Sequence, residues 1–200
     1  MRIISGSLRG RKLIQIDGTR IRPTADRIRE AIFNILGPVI KGKTVLDLFA
    51  GTGALGIEAL SRGASKAVFV DLSCHVVQQN LDRCRMADRA VLVNIDITGP
   101  VFASCLKGQQ FDIVFIDPPY EKGCLDLVLN HPRLPDLLAE GCTIVAEQSC
   151  RETLKNLPPI LDIYRQKKYS KTLISFIHKT EAKDHAPNES KPNRNLPWIF

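Results

Sequence analysis

The stretch DLFAGTGALGIEALSRGA, residues 47–64, decides the fold. An apolar strand, about Thr44 to Phe49, runs straight into Gly51, Gly53 and Gly56, and a helical run begins near Ala54. Glycines let backbone turn sharply and approach a ligand closely, and a helix opening at that point aims unpaired amides outward. Lying between strand and helix, the loop predicts a nucleoside-containing cofactor at the carboxyl end of the strand.

Downstream, short apolar runs alternate with helical ones: Ala67 to Asp71, a helix from about Ser73, Val91 to Ile95, a helix near 98–106, Phe111 to Ile116, a helix near 124–138, and Thr143 to Glu147. Nearly continuous apolar strands indicate a parallel sheet covered on both faces, an α/β Rossmann-like architecture. After a short helix expected near 151–156, two strands at about Ile160 to Lys167 and Lys171 to His178 are joined too tightly for a parallel crossover, so the sheet ends in an antiparallel hairpin. Upstream, residues 2–5 and 11–17 read as short strands of a basic β appendage, followed by a helix from Pro23 to about Leu36 with Ile28, Ala31, Ile32 and Ile35 inward. The expected divisions are an N-terminal extension 1–22, a catalytic domain 23–179 and a polar tail 180–200.

Two observations favour S-adenosylmethionine over NAD. Asp47 at the strand end suits the ammonium of a methionine moiety and would repel a pyrophosphate, and no GxxxxGK phosphate loop exists. Phe49, Gly51 and Gly53 line the donor loop, Asp71 stands where a carboxylate accepts ribose hydroxyls, and Asp96 is placed to reach the adenine amino group. A loop-ordering carboxylate at Asp47 and a surface-turn aspartate at Asp96 are the competing readings.

Asp117, Pro118, Pro119 and Tyr120 end the fourth strand in the same row of tips. Two prolines remove two donors and stiffen the turn, leaving carbonyl acceptors beside an aromatic ring. That set suits a planar base whose amino group is held by Asp117 and the Pro118 carbonyl while the ring stacks on Tyr120. Methyl transfer would be a direct in-line displacement, with the base unstacked or flipped out of any duplex.

The net charge of +7 is concentrated: residues 1–30 hold eight basic groups against three acids, and the rest of the chain adds only +2. Arg9, Arg11, Lys12, Arg22, Arg27 and Arg29 are therefore candidate phosphate contacts, against the alternative of a solvated basic face. Phe33 projects beside Arg29, off the apolar stripe, and needs a second partner, either the N-terminal strands or a ligand. Six scattered cysteines form no CxxC pair and read as reduced and structural, and the four histidines have no ligand spacing, so no metal is expected. No apolar run is long enough to span a bilayer, and the opening residues do not read as a secretory leader, which leaves a cytoplasmic location as the expectation.

Four signatures together, RIISGSLRGRKL (2–13), RPTADRIREAIFN (22–34), the 47–64 stretch and DPPY (117–120), resemble the bacterial 16S rRNA guanine-N2 methyltransferases of the RsmD type. The resemblance covers most of residues 2–178, with Ser5 in place of an expected glycine and Asp71 in place of the commoner glutamate. It implies a seven-stranded methyltransferase fold and methylation of one guanine N2 in small-subunit rRNA, on an assembled or assembling 30S subunit. It further implies that residues 22–34 close over the donor and frame the acceptor through Arg22, Thr24, Arg27, Arg29 and Phe33, with Pro119 also on the substrate side. Neither DNA nor a membrane is an expected partner, and a monomer is expected. The alternatives are an amino-directed methyltransferase acting on adenine N6 or protein glutamine, and an RNA-binding module without catalysis.

Overall fold

A computed structural model describes residues 1–15, 23–99, 102–154 and 156–180. Its centre is one seven-stranded sheet in the order β3-β2-β1-β4-β5-β7-β6. The strands are β1 (Thr44–Leu48), β2 (Lys66–Asp71), β3 (Ala90–Asn94), β4 (Phe111–Ile116), β5 (Leu138–Ser149), β6 (Leu161–Tyr169) and β7 (Thr172–Lys179). β1 to β5 pair in parallel and β7 runs antiparallel between β5 and β6, as the tight connection requires.

Alternation along the strands builds two cores. Val45, Phe69, Ile113, Phe115, Val145, Ile174 and Phe176 face helices α1 (Pro23–Leu36), α2 (Ala54–Ser61) and α3 (His75–Cys84). Leu46, Val70, Val114, Ile116 and Ile144 face α4 (Cys124–Leu129) and the short 3₁₀ turns Phe102–Leu106 and Leu134–Leu137. The first βαβ crossovers therefore cover one face and the later ones the other, and the switch falls between β1 and β4, where such sheets leave a crevice for ligands.

Several elements are shorter than the periodicity implies. The helix expected over 124–138 ends at Leu129, because Pro132 and Pro135 cannot continue it, and only a 3₁₀ turn follows. The one expected over 98–106 is likewise a 3₁₀ turn, and among the described residues of 151–156 no helix forms. The N-terminal strands reduce to a single bridge, Arg2 with Lys12, and Asp17 and Gly18 lie outside the described residues. Four of the six free cysteines are buried as expected, whereas Cys150 is half-buried and Cys105 is exposed.

Buried polar groups on α2 and α3, rather than strand pairing, hold the N-terminal segment. Fully buried Glu58 accepts the Ile4 N–H at 2.7 Å and the Ser5 N–H at 3.0 Å while pairing with Arg62 Nε at 2.7 Å. Ser61 accepts the Ser7 N–H on its carbonyl at 2.8 Å and the Leu8 N–H on Oγ at 3.0 Å. Gly6 is required there: its φ is +84°, and a Cβ would fall 2.0 Å from the Ser61 carbonyl oxygen. Removing the Glu58 carboxylate strands two amides and a partly buried arginine. Glu58→Ala should therefore cost about 3 kcal/mol of unfolding free energy and open residues 1–15 to protease. Urea denaturation and limited proteolysis check this; an unchanged midpoint with unchanged cleavage contradicts it.

Candidate active site

The donor loop and the acceptor turn leave neighbouring strands. Leu48 pairs with Ile116 at the tips of β1 and β4, and the Asp117 N–H donates to the Leu48 carbonyl oxygen at 3.4 Å. The sequence motifs 47–64 and 117–120 therefore share one crevice.

On the donor side, Asp71 at the tip of β2 accepts the Gly51 N–H on Oδ2 at 2.9 Å and the Ser73 N–H on Oδ1 at 3.3 Å. One half-buried carboxylate thus pins the glycine loop to the adjacent strand while remaining within reach of a ligand. Phe49 and Gly51 hold positive φ, and a Cβ on Gly51 would meet nothing nearer than the Phe49 carbonyl oxygen at 3.9 Å, so the backbone there is open to close approach. Gly56 serves packing instead: a Cβ would fall 2.3 Å from Phe69 Cε1, so only glycine lets α2 lie this close to β2.

Asp47 is only 1% exposed, and its Oδ2 accepts the Gly56 N–H at 2.9 Å. Burial is the main reason its pKa is raised to about 7, with a further contribution from Asp71 and opposition from the Gly56 amide. It performs the loop-ordering task that the sequence leaves as an alternative to an ammonium contact. Asp96 is exposed and closes its own turn, accepting the Thr98 O–H at 2.6 Å and N–H at 2.9 Å, bonds that lower its pKa. Leu72, directly after Asp71, does not stand out in the sequence, yet it is 73% exposed in a protein whose large apolar side chains are mostly buried. An apolar side chain left open beside a strand-tip carboxylate offers a planar ligand something to cover.

On the acceptor side, Pro118 is buried and Pro119 exposed, and the half-buried Tyr120 is locked by its hydroxyl. That hydroxyl donates to Glu147 Oε1 at 2.5 Å and lies 3.0 Å from Thr172 Oγ1, tying the turn to the ends of β5 and β7. Glu152 adds a clamp, accepting the Glu121 N–H at 2.8 Å and the Ser149 N–H at 3.0 Å. Sequence reasoning singles out none of Glu147, Thr172 and Glu152, although Glu147 ends the strand expected over Thr143 to Glu147 and stands level with Asp117.

Asp117 is exposed at the mouth of the crevice. Partial desolvation there, together with the nearby carboxylates of Glu147 and Asp47, raises its pKa above the usual carboxylate range. Burial and the bond to Glu147 push the Tyr120 phenol upward as well. Four acids, Asp71, Asp47, Asp117 and Glu147, edge the crevice, and a cationic ligand there would favour the charged forms of Asp47 and Asp117 that their surroundings disfavour.

The expected substrate residues do not all reach this crevice. Arg27 is exposed on α1, Arg22 lies outside the described residues, and of Thr24 only the helical backbone is described. Arg29 corrects the sequence reading: it is 4% exposed and turned inward, donating to the Arg2 carbonyl oxygen at 2.5 Å and to Asp26 at 3.0 Å. Phe33 is also fully buried, its ring 5.6 Å from that of Phe115 and beneath the Arg62 guanidinium at 4.8 Å, so its second partner is protein. Arg9, Arg11 and Lys12 are exposed, but Arg11 donates to the Arg83 carbonyl oxygen in the last turn of α3. Where residues 1–15 do approach the loop is at Asn80, which is fully buried. Its side chain accepts the Ile14 N–H at 2.7 Å and donates to the Thr52 carbonyl oxygen at 2.9 Å.

Residues 1–178 match the family model described as Conserved hypothetical protein 95. The chain belongs to this family. It is 39% identical over 170 residues to the ribosomal RNA small subunit methyltransferase D of Escherichia coli, spanning 84% of each chain. The protein of the same name from Buchnera aphidicola subsp. Acyrthosiphon pisum is 32% identical over 176 residues, 82% of this chain and 86% of that one. Among solved structures, yhhF from Escherichia coli superposes with a TM-score of 0.77 at 38% identity, over 90% of this chain and 97% of that chain. The family assignment agrees with the seven-stranded sheet and its antiparallel end.

Asp47 yields a test of this geometry. An acid whose pKa is raised in the fold binds more protons folded than unfolded, so stability falls as pH rises from about 4 to about 7 and the penalty persists above that range. Asp47→Asn retains an acceptor for the Gly56 amide and should stabilise the ligand-free protein at pH 8, by at most about 4 kcal/mol. The gain should vanish toward pH 4. Thermal midpoints across pH measure it, and a difference independent of pH contradicts it.

Proposed function

We propose that this protein transfers a methyl group from S-adenosylmethionine to the exocyclic N2 amino group of a guanine in small-subunit rRNA, acting on the assembled or assembling 30S subunit as a monomer. The observation that carries the reading is the pairing of β1 with β4, which puts the glycine loop and the DPPY turn side by side. The names of the relatives, rRNA small subunit methyltransferase D, support the substrate class.

The residues present fit the donor. Asp71 offers a half-exposed carboxylate for ribose hydroxyls, Leu72 an uncovered apolar surface for the base, Gly51 an open approach for backbone contact, and Asp47 and Asp117 carboxyls whose charged forms a cation would favour. Bound there, the donor supplies a methyl group on a sulfonium. The chain holds the acceptor: the Pro118 carbonyl and Asp117 accept its two N–H groups, and Tyr120, its hydroxyl fixed by Glu147, presents a ring for stacking. An aryl amine is a weak nucleophile because its lone pair is delocalised, so fixing both N–H groups aligns that lone pair for displacement. The methylated nitrogen must then lose a proton. A carboxylate with a raised pKa is a stronger base, which makes Asp117 the group to receive it. No helix among the described residues is long and apolar enough to cross a membrane.

Three experiments follow. Labelled donor offered with separated small-subunit particles, naked rRNA, DNA and protein should place label in small-subunit RNA as N2-methylguanosine. Asp117→Ala should lower single-turnover transfer at least about 100-fold, the general scale of acid–base assistance, with donor affinity retained. Label confined to DNA, adenine or protein, or an unchanged rate in the variant, refutes the assignment. The pH profile tests the neighbour: transfer should rise with pH as Asp117 ionises above the usual carboxylate range, and Glu147→Gln, which removes a like charge, should move that limb to lower pH. A limb that stays in place excludes this coupling.

A further inference from the structure

A second concentration of basic residues lies at the outer hairpin, at the opposite end of the sheet from the N-terminal segment. Between residues 151 and 171 the chain carries six basic groups, Arg151, Lys155, Arg165, Lys167, Lys168 and Lys171, against only Glu152 and Asp162. This net +4 is hidden in the near-neutral average of the chain after residue 30.

The fold brings that charge to the crevice. β6 and β7 run antiparallel and turn at Ser170 and Lys171, with Tyr169 opposite Thr172. Thr172 is the residue whose hydroxyl lies 3.0 Å from the Tyr120 hydroxyl, so the hairpin turns back beside the acceptor. The tip is held rigidly: Cys150 donates its N–H to the Lys171 carbonyl oxygen at 2.9 Å, and Tyr169 packs on the core. Arg165, Lys167, Lys168 and Lys171 are all exposed, and among the described residues none of them forms an ion pair. Arg165 and Lys167 pair with Phe176 and Ile174, which puts them on the sheet face that carries α1, Asp47 and Phe115. At about 3.3 Å per residue, Lys167 stands only about 7 Å along the strand from Tyr169. Arg11, by contrast, is tied to the Arg83 carbonyl oxygen in the last turn of α3, the helix between β2 and β3.

We propose that the β6–β7 hairpin, through Arg165, Lys167, Lys168 and Lys171, grips RNA phosphates flanking the target nucleotide on the Tyr120 side of the crevice. This rests on the rRNA methyltransferase reading above. Unpaired cations on a rigid tip bound to the acceptor turn fix the register of the strand, while the turn itself reads the base. Lysines on an exposed edge strand also discourage edge-to-edge association, but that task does not call for Lys171, which belongs to the turn rather than to β6.

The test is the combined variant R165Q/K167Q/K168Q/K171Q in the full chain, with unmodified 30S particles as the probe. Binding is measured over a series of KCl concentrations, alongside donor affinity, thermal midpoint and the KM for each substrate. Donor affinity and midpoint should match wild type, and the KM for particles should rise at least about tenfold at low salt. The slope of log affinity against log salt should become shallower by about 0.7 for each phosphate that is no longer neutralised, nearly 3 in all if each of the four cations holds one. A particle KM and salt slope equal to wild type, with or without new aggregation, overturn the proposal and leave the charges as edge protection. Failure of the wild-type protein itself to methylate the particles overturns the reading beneath it, and is distinguished because that result needs no variant.

Discussion

Everything in this molecule depends on β1 and β4 lying edge to edge. The Asp117 amide bonded to the Leu48 carbonyl fixes how far each strand runs before its loop departs, and so fixes the separation of the two half-sites. The parallel ladder is buried on both faces, and sliding it by one residue would turn Phe115 and Asp47 onto the opposite face. Donor and acceptor geometry are therefore set by the same hydrophobic packing that stabilises the sheet.

Around that pairing the protein accepts local electrostatic costs. Asp47 is buried with one amide for company, and Asp117 sits among like charges. Isolated carboxylates in such places destabilise a fold. In the proposed reaction a cationic donor would offset these costs, and Asp117 would be a base strong enough to receive a proton. The clamps by Asp71, Glu147 and Glu152 hold the loops by backbone and hydroxyl bonds, so the turn chemistry rests on rigid strand ends.

The sheet, its antiparallel end and the two facing motifs are legible in the sequence, because buried parallel strands and glycine or proline turns have local signatures. Depth is not. A helical wheel puts Arg29 and Phe33 beside the apolar stripe of α1, but it takes the N-terminal segment bonded to Arg29, and Phe115 and Arg62 packed on Phe33, to explain why both are buried. Apolar periodicity over 124–138 conceals the effect of Pro132 and Pro135, so it predicts a helix where a 3₁₀ turn forms. Glu147, Thr172 and Glu152 escape notice because their partners lie 27, 52 and 31 residues away in sequence, contacts that only the sheet order creates. The charge of the hairpin disappears when it is averaged over too long a window.

The most direct test of the shared crevice is a crystal structure with S-adenosylhomocysteine bound. The ribose hydroxyls should lie on Asp71, the base against Leu72, and the sulfur facing the Asp117–Pro118 turn with room for a purine before Tyr120. A ligand seated elsewhere, or one whose sulfur points away from that turn, would contradict a shared crevice.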